Sequence, residues 1–258
     1  MELRILCVGD VVGSAGLSYL GKHLRRLKRD KQIDFCIVNG ENASMVGMSA
    51  DQADDIFFAG ADVITLGNHV WNRRDIVPVL EDSAYILRPA NLSPQAPGIG
   101  WHEYETAKGT VAVINLVGRC GMDFGPQNPF LQVEQILPKL KAKTVLVEIH
   151  AEATSEKLAM AYMLDGKVSA VYGTHTHVPT ADLQILRGGT GYITDLGMTG
   201  PRFSVLGVNP KQSIANFRGD LTNRYEQAPG PCKLEGVIFT VDTASGKTAG
   251  TERIFLYD

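Results

Sequence analysis

The sequence predicts an α/β fold: a four-layer α/β/β/α sandwich in which two mixed sheets pack face to face with helices outside. Three observations carry this prediction. Apolar runs of strand length alternate with helical patterns early in the chain, which favours parallel strands joined by right-handed crossovers. Antiparallel pairs follow in the middle and at the end, and two buried strands lie between them. A doubly wound single sheet is the alternative.

The first third of the chain repeats a strand, a turn and a helix three times. Each predicted strand is a nearly continuous apolar run with a glycine and polar residues at its end. Such runs are typical of strands that are covered on both faces of a sheet. The predicted strands span 3–8, 33–38 and 62–66, and the predicted helices span 17–28, 50–58 and 74–80.

The rest of the chain predicts three antiparallel pairs around a second strand–helix–strand unit. Lys108 and Gly109 form the predicted turn of the first pair. The stretch 197–231 is rich in Gly, Pro, Asn and Arg and is predicted to be irregular, as a functional loop or a disordered one. Residues 1–258 are predicted to form one domain. The paired strands span 101–107 with 110–117, 183–186 with 192–194, and 234–241 with 254–257; strands 144–149 and 168–172 flank a helix at 156–163.

The composition excludes some classes of partner. A net charge of -3 over 258 residues argues against a surface for long nucleic acids, which needs a basic stripe. A small anionic substrate stays compatible, because bound metal ions would supply local positive charge. No apolar run reaches the roughly 18 residues that a membrane span needs, and the chain begins without a signal-peptide pattern, so a cytoplasmic protein is predicted. Phe57 and Phe58 suit either a core or a contact in a homo-oligomer.

Polar side chains cluster just after the predicted strands. The carboxyl ends of parallel strands form one rim of a sheet, where ligands bind. Four of the six histidines in the chain lie at these points. The set is Asp10, Glu41 with Asn42, Asn68 with His69, His150, and His175 with His177.

Most of these residues also have a structural explanation when each is considered alone. Asp10 could cap the next helix, and Glu41 could be a solvated turn residue. Asn42 and Asn68 are natural turn residues. His69 could pack under Trp71. Glu152, two residues after His150, is predicted to lie near the rim, either beside a ligand or in solvent.

The set as a whole predicts two metal sites. Imidazole suits zinc, iron and manganese, while carboxylates and carboxamides add oxygen ligands. The tight turn after Gly173 allows the two histidines of His-x-His to serve neighbouring ions, about 3.5–4 Å apart as in other two-metal hydrolases. A histidine beside such a site can protonate a leaving alkoxide, the role predicted for His69. The first site has Asp10, Glu41, Asn42 and His177; the second has Glu41, Asn68, His150 and His175.

With these residues, the chain resembles the calcineurin-like metallophosphoesterase superfamily and, more narrowly, its bacterial YmdB-like branch. Val12, in place of the usual histidine, and Glu41, in place of a bridging aspartate, are departures that the branch shares. Asn72 and Glu148 stand where the branch carries aspartate. The matching segments are Gly-Asp-Val-Val-Gly at 9–13, Asn-Gly-Glu-Asn at 39–42, Gly-Asn-His at 67–69, and the runs at 150–157, 173–177 and 194–201.

This resemblance implies a phosphodiesterase acting on 2′,3′-cyclic nucleotides or related phosphoesters, with two divalent metal ions. Iron or manganese is implied, with zinc and magnesium as alternatives, and His69 is implied as proton donor. The mechanistic hypothesis is attack by a metal-bridging hydroxide on phosphorus. Arg202 and Arg218 are candidates for phosphate or base contacts, with exposure to solvent as the alternative. Two rival functions stay open: a metallohydrolase of another bond, such as an amide, and a regulatory protein that binds metal or nucleotide with little turnover.

Overall fold

The computed structural model describes residues 1–122, 125–220 and 225–258. Six α-helices and fourteen strands are formed by these residues. The helices are α1 Gly13–Asp30, α2 Ala50–Ala59, α3 Val77–Asp82, α4 Pro129–Ile136, α5 Thr154–Leu164 and α6 Pro210–Phe217. The strands are β1 Glu2–Val8, β2 Asp10–Val11, β3 Phe35–Asn39, β4 Val63–Thr65, β5 Ile86–Leu87, β6 Trp101–Thr106, β7 Gly109–Val117, β8 Thr144–His150, β9 Ala170–Thr174, β10 Gln184–Ile185, β11 Gly191–Ile193, β12 Met198–Pro201, β13 Cys232–Asp242 and β14 Lys247–Tyr257.

The strands form two mixed sheets. In the first sheet the order is β2-β12-β13-β1-β3-β4-β5, and β14 also pairs with β13. In the second sheet the order is β10-β11-β9-β8-β7-β6. Strands β1, β3, β4 and β5 run parallel, as do β7, β8, β9 and β11. The carboxyl ends of each parallel group therefore lie at a common edge of its sheet.

Three apolar clusters define the layers. Alternate residues of β1 belong to different clusters: Leu6 and Val8 pack with α1 and α2, whereas Ile5 and Cys7 face the second sheet. This alternation follows from the two-residue period of a strand. The outer face of the second sheet packs against α4 and α5. The predicted α/β/β/α sandwich is confirmed, and the single-sheet alternative is wrong.

Local sequence explains where several helices begin and end. The Ser49 hydroxyl caps α2, and the Gln52 side chain accepts from the Ser49 backbone N–H, which together form a capping box. Gly60 ends the helix with a left-handed backbone at φ 117°. Asn128 caps α4 ahead of a proline in its first turn. None of the helices in the described parts of the chain is long and apolar enough to cross a membrane.

One prediction about regular structure is wrong. The stretch 197–231 contains strand β12 and helix α6, with four of its residues, 221–224, outside the described part. Asn209 caps α6 by accepting from the Lys211 N–H at 3.1 Å, and Pro210 occupies its first turn. This Asn-Pro start signal is local, but the frequency of Gly and Pro around it obscured the helix.

Candidate metal centre

The polar cluster lies where strand ends of the two sheets meet. Asp10 belongs to β2, and the segments that follow β3 and β4 supply four more residues from the first sheet. The second sheet contributes His150, the last residue of β8, and the turn that follows β9. The structure therefore brings together all eight residues that the sequence predicted. They are Asp10, Glu41, Asn42, Asn68, His69, His150, His175 and His177.

Backbone geometry at two points allows this convergence. A Cβ at Gly67 would lie 1.9 Å from Glu41 Oε2 and 2.4 Å from His150 Nε2, so only glycine lets β4 end this close to the cluster. His175 and His177 have φ values of 97° and 62°. Such values are uncommon for residues other than glycine and typically mark a functional constraint. The turn directs the two histidines towards different partners.

One group of atoms surrounds His150 Nε2. The Asn68 Oδ1 atom lies 3.0 Å from this nitrogen, the Glu41 Oε1 atom 3.2 Å and the His175 Nδ1 atom 3.1 Å. Ligand atoms that share one ion about 2.1 Å away lie roughly 3 Å apart when their bonds to it are near right angles. The spacing of this group matches the second predicted metal site.

The other group centres on His177 Nε2. Asp10 Oδ1 lies 3.6 Å from this nitrogen, and the Asn42 amide nitrogen lies 3.0 Å from it. The Asn42 oxygen points instead to His69 Nδ1 at 3.3 Å. Asn42 would present its oxygen to the first predicted site after its amide rotates by about 180°. The first site is therefore less well formed than the second.

Each of the three histidines proposed as ligands has an acceptor beside the ring nitrogen that points away from the centre. They are His150, His175 and His177. His150 Nδ1 lies 2.9 Å from Thr174 Oγ1, and that hydroxyl donates to Glu148 Oε1, so the His150 N–H must donate to Thr174. His177 Nδ1 lies 3.2 Å from the Leu206 carbonyl oxygen. His175 Nε2 lies 3.4 Å from Glu152 Oε2. These contacts leave the inner nitrogens with lone pairs that face the centre, the tautomer that metal ligation requires.

The centre is rich in acceptors and short of positive charge. Asp10 and Glu41 are fully buried, and within the described residues Asp10 Oδ1 and Glu41 Oε2 have no hydrogen-bond partner. Buried carboxylates and imidazole lone pairs repel one another unless a proton or a cation lies between them. These residues therefore fit divalent cations with mixed nitrogen and oxygen ligands.

Over residues 1–122, 125–220 and 225–258, no three His, Cys, Asp or Glu side chains already enclose a single metal position. Two of the seven predicted ligands are asparagines, which lie outside that set of residue types. The inner atoms also bond to one another: His150 Nε2, for example, lies within hydrogen-bonding distance of Asn68. Binding of an ion would replace these hydrogen bonds with bonds to the metal.

Known proteins resemble this chain over nearly its whole length. A family model described as YmdB-like protein matches residues 6–254. The chain belongs to the YmdB-like family. It is 40% identical over 261 residues to a 2′,3′-cyclic-nucleotide 2′-phosphodiesterase of Bacillus subtilis, with 99% of this chain and 98% of that protein covered.

Two solved structures extend the YmdB-like match to three dimensions. A phosphatase from Mycoplasma pneumoniae has a TM-score of 0.94 and 36% identity, covering 100% of this chain and 94% of that chain. A hypothetical protein from Thermus thermophilus has a TM-score of 0.93 and 35% identity, covering 99% of this chain and 100% of that chain. The predicted resemblance to the YmdB-like branch is confirmed.

The alternatives for single residues are resolved in different ways. Asp10 does not cap α1, because Val12 is the N-cap residue and Asp10 accepts the His175 N–H at 3.2 Å. His69 is 32% exposed and lies 3.1 Å from Glu41 Oε1 through Nδ1. Glu152 is largely exposed to solvent, and its carboxylate also lies beside His175. Arg202 lies outside the cluster, with its guanidinium 4.5 Å from the ring centre of Tyr257, while Arg218 follows α6 and is exposed.

Sequence reasoning missed the residues that support this YmdB-like centre from outside. Glu148 accepts from Asn39 Nδ2 at 2.7 Å and from the Thr174 hydroxyl at 2.8 Å, beneath His150. A charged residue within an otherwise apolar strand was the available signal. Lys157, buried within α5, and Asp195, which follows β11, hold the histidine turn from the other side. Leu206, with φ 54°, offers its carbonyl to His177.

Protonation should take the place of the cation when the protein is treated with a chelator. Burial lowers the pKa of His150, but Glu41 and Asp10 outweigh it and raise that pKa from 6.5 to about 9. For Glu41, burial raises the pKa, but the neighbouring His150 and His69 outweigh burial and lower that pKa to about 2. The folded state thus holds a proton on His150 between pH 6.5 and 9 that the unfolded state releases.

We therefore expect chelator-treated protein to lose stability as the pH rises from 6.5 to 9. The contribution of His150 is complete below pH 6.5 and is lost through pH 9, by up to about 3 kcal/mol. Urea unfolding at several pH values measures it, and His150→Gln is the matched variant. An equal loss in that variant would assign the effect to other groups. A divalent cation that binds at His150 should suppress the loss, because it would replace the proton.

Proposed function

We propose that this YmdB-like chain is a metal-dependent phosphodiesterase that hydrolyses 2′,3′-cyclic nucleotides or closely related phosphodiesters. The observation that carries the proposal is the buried, acceptor-rich centre, in which the carboxylates of Asp10 and Glu41 face the inner imidazole nitrogens of His177 and His150. A centre of this kind is suited to cations that receive an anionic ester. The substrate class follows the name of the Bacillus subtilis relative.

We assign the first cation to Asp10, Glu41, Asn42 and His177, and the second to Glu41, Asn68, His150 and His175. Iron or manganese suits this mixed nitrogen and oxygen set, and zinc and magnesium are the alternatives. When bound, two such ions would neutralise charge on the phosphoryl oxygens and make a water molecule more acidic. Glu41 is the residue proposed to serve both ions.

The chain's own residues supply orientation and a proton. His69 lies at the exposed side of the centre, with Nδ1 held near Glu41 and Asn42. This leaves Nε2 as the ring nitrogen that can reach a substrate. In the imidazolium form, Nε2–H protonates the departing ribose oxygen as its bond to phosphorus breaks, and the product is a phosphomonoester.

Some parts of the sequence prediction stay proposals. We propose that residues 1–258 act as one domain, that the protein works in the cytoplasm, and that it acts on small phosphoesters rather than long nucleic acids. We also propose that it associates into a homo-oligomer. Phe58 is exposed beside Arg25, whose guanidinium lies 4.5 Å from its ring centre, so it is compatible with a subunit contact.

A metal-reconstituted substrate screen tests the proposed function. Chelator-treated protein should lose phosphodiesterase activity by on the order of 10³-fold, and Mn²⁺ should restore it. The panel should contain 2′,3′-cyclic nucleotides, linear dinucleotides, phosphomonoesters and a peptide amide. Hydrolysis of the amide alone would favour a different metallohydrolase. Tight nucleotide binding without product after long incubation would favour a regulatory protein.

A further inference from the structure

Lys157 is a lysine with no exposed surface, in the first half of α5. Its Nζ lies 2.8 Å from Asp195 Oδ2, and Asp195 is also fully buried. The same Nζ donates to the Thr174 carbonyl oxygen at 2.8 Å. A Cβ at Gly173 would lie 2.7 Å from Lys157 Cδ, so the aliphatic stem of the lysine packs directly against the backbone of that turn.

Lys157 and Asp195 bind the backbone of the turn at 174–177 on both sides of His175. Lys157 holds the Thr174 carbonyl, and Asp195 Oδ2 accepts the Thr176 N–H at 3.1 Å. Asp195 is itself fixed, because its Oδ1 accepts the Gly197 N–H at 2.9 Å. Between these two anchors His175 has φ 97°, a backbone conformation that a non-glycine residue adopts only under constraint.

An ion pair is a costly way to fill buried space. Replacing such a pair with apolar side chains of similar volume is often neutral or stabilising, whereas removing one partner alone is strongly destabilising. The Lys157–Asp195 pair is therefore poorly explained by stability alone. Its charges do supply a donor and an acceptor at the two backbone atoms that set the direction of His175 and His177.

We infer that Lys157 and Asp195 are positioning residues that hold the turn at 174–177 in the conformation that separates His175 from His177. The inference rests on the proposed metal site and adds to it. Neither residue contacts the substrate; they act through the backbone of the two histidines. Loss of the pair should let the turn relax towards negative φ values and move both imidazoles away from the centre.

The double variant Lys157→Met/Asp195→Asn tests the inference, because it removes both charges and leaves neither buried alone. Its melting temperature after chelation should be higher than that of Lys157→Met. Its affinity for Mn²⁺, measured by titration calorimetry, should fall about 10- to 100-fold, the effect expected for residues that orient ligands. The visible absorption of bound Co²⁺ at saturation should also differ from the wild type.

Leu164→Ala is the matched control, since Leu164 is a buried residue at the far end of α5. It should lower the melting temperature yet change Mn²⁺ affinity by less than about threefold. Wild-type affinity and Co²⁺ spectrum in the double variant would overturn the inference, and so would an equal loss of affinity in Leu164→Ala. If Lys157→Met does not fold, Asp195→Asn alone replaces it in the comparison. A wild-type protein that binds none of Mn²⁺, Fe²⁺, Zn²⁺ and Mg²⁺ would refute the proposed function instead.

Discussion

Glu41→Gln is expected to remove most of the bound metal and to lower turnover by on the order of 10³-fold or more. The reason is the place of Glu41 in the proposed centre, where its carboxylate is assigned to both ions. Oε1 lies 3.2 Å from His150 Nε2 and accepts the His69 N–H at 3.1 Å, while Oε2 is buried and has no hydrogen-bond partner within the described chain. The amide keeps the size of the side chain but loses the charge.

Metal content by elemental analysis and turnover of 2′,3′-cyclic AMP are the two measurements. Wild-type protein should hold about two ions per chain, and Glu41→Gln should hold fewer than one. Glu81→Gln is the matched control, because Glu81 is an exposed glutamate on α3 and is not one of the eight residues of the centre. It should retain both ions. Two ions and near-normal turnover in Glu41→Gln would show that Glu41 does not join the two sites.

The sequence predicted the fold because its signals were local and redundant. Nearly continuous apolar strands showed burial on both faces, and the hairpin around Lys108 and Gly109 showed where antiparallel pairing begins. In the structure, Ile5 and Leu6 of β1 accordingly face different layers, the second sheet and the helices α1 and α2. Helix α6 was missed because its Asn-Pro start stands in a segment whose composition is typical of loops.

The inner residues of the site were predictable for a related reason. Each lies at the end of a strand or shortly after one, and the topology of parallel strands places such residues at one edge. The supporting residues obey no such rule. Lys157 lies on α5, outside the second sheet, and contacts the Thr174 carbonyl because the fold brings the two together. Thr174 in turn contacts Glu148 on the neighbouring strand. The amide orientation of Asn42 was equally invisible, because it depends on contacts with His69 and His177.

His69→Ala is expected to lower turnover of 2′,3′-cyclic nucleotides by about 10²- to 10⁴-fold while leaving metal content unchanged. His69 differs from the other three histidines of the centre in being 32% exposed, with its Nδ1 towards Glu41 and Asn42. We therefore propose that His69 contributes a proton rather than a metal ligand. Elemental analysis and turnover of the same preparation separate these two roles.

The leaving group gives the decisive comparison. A ribose alkoxide is strongly basic and needs a proton as it departs, whereas p-nitrophenolate leaves without one. The defect of His69→Ala should therefore be large with 2′,3′-cyclic AMP and much smaller with bis-p-nitrophenyl phosphate. His102→Ala, which changes an exposed histidine on β6, should have little effect on either substrate. Equal defects with both substrates at full metal content would show that His69 positions the ester or stabilises its charge, and proton donation would have to come from another group.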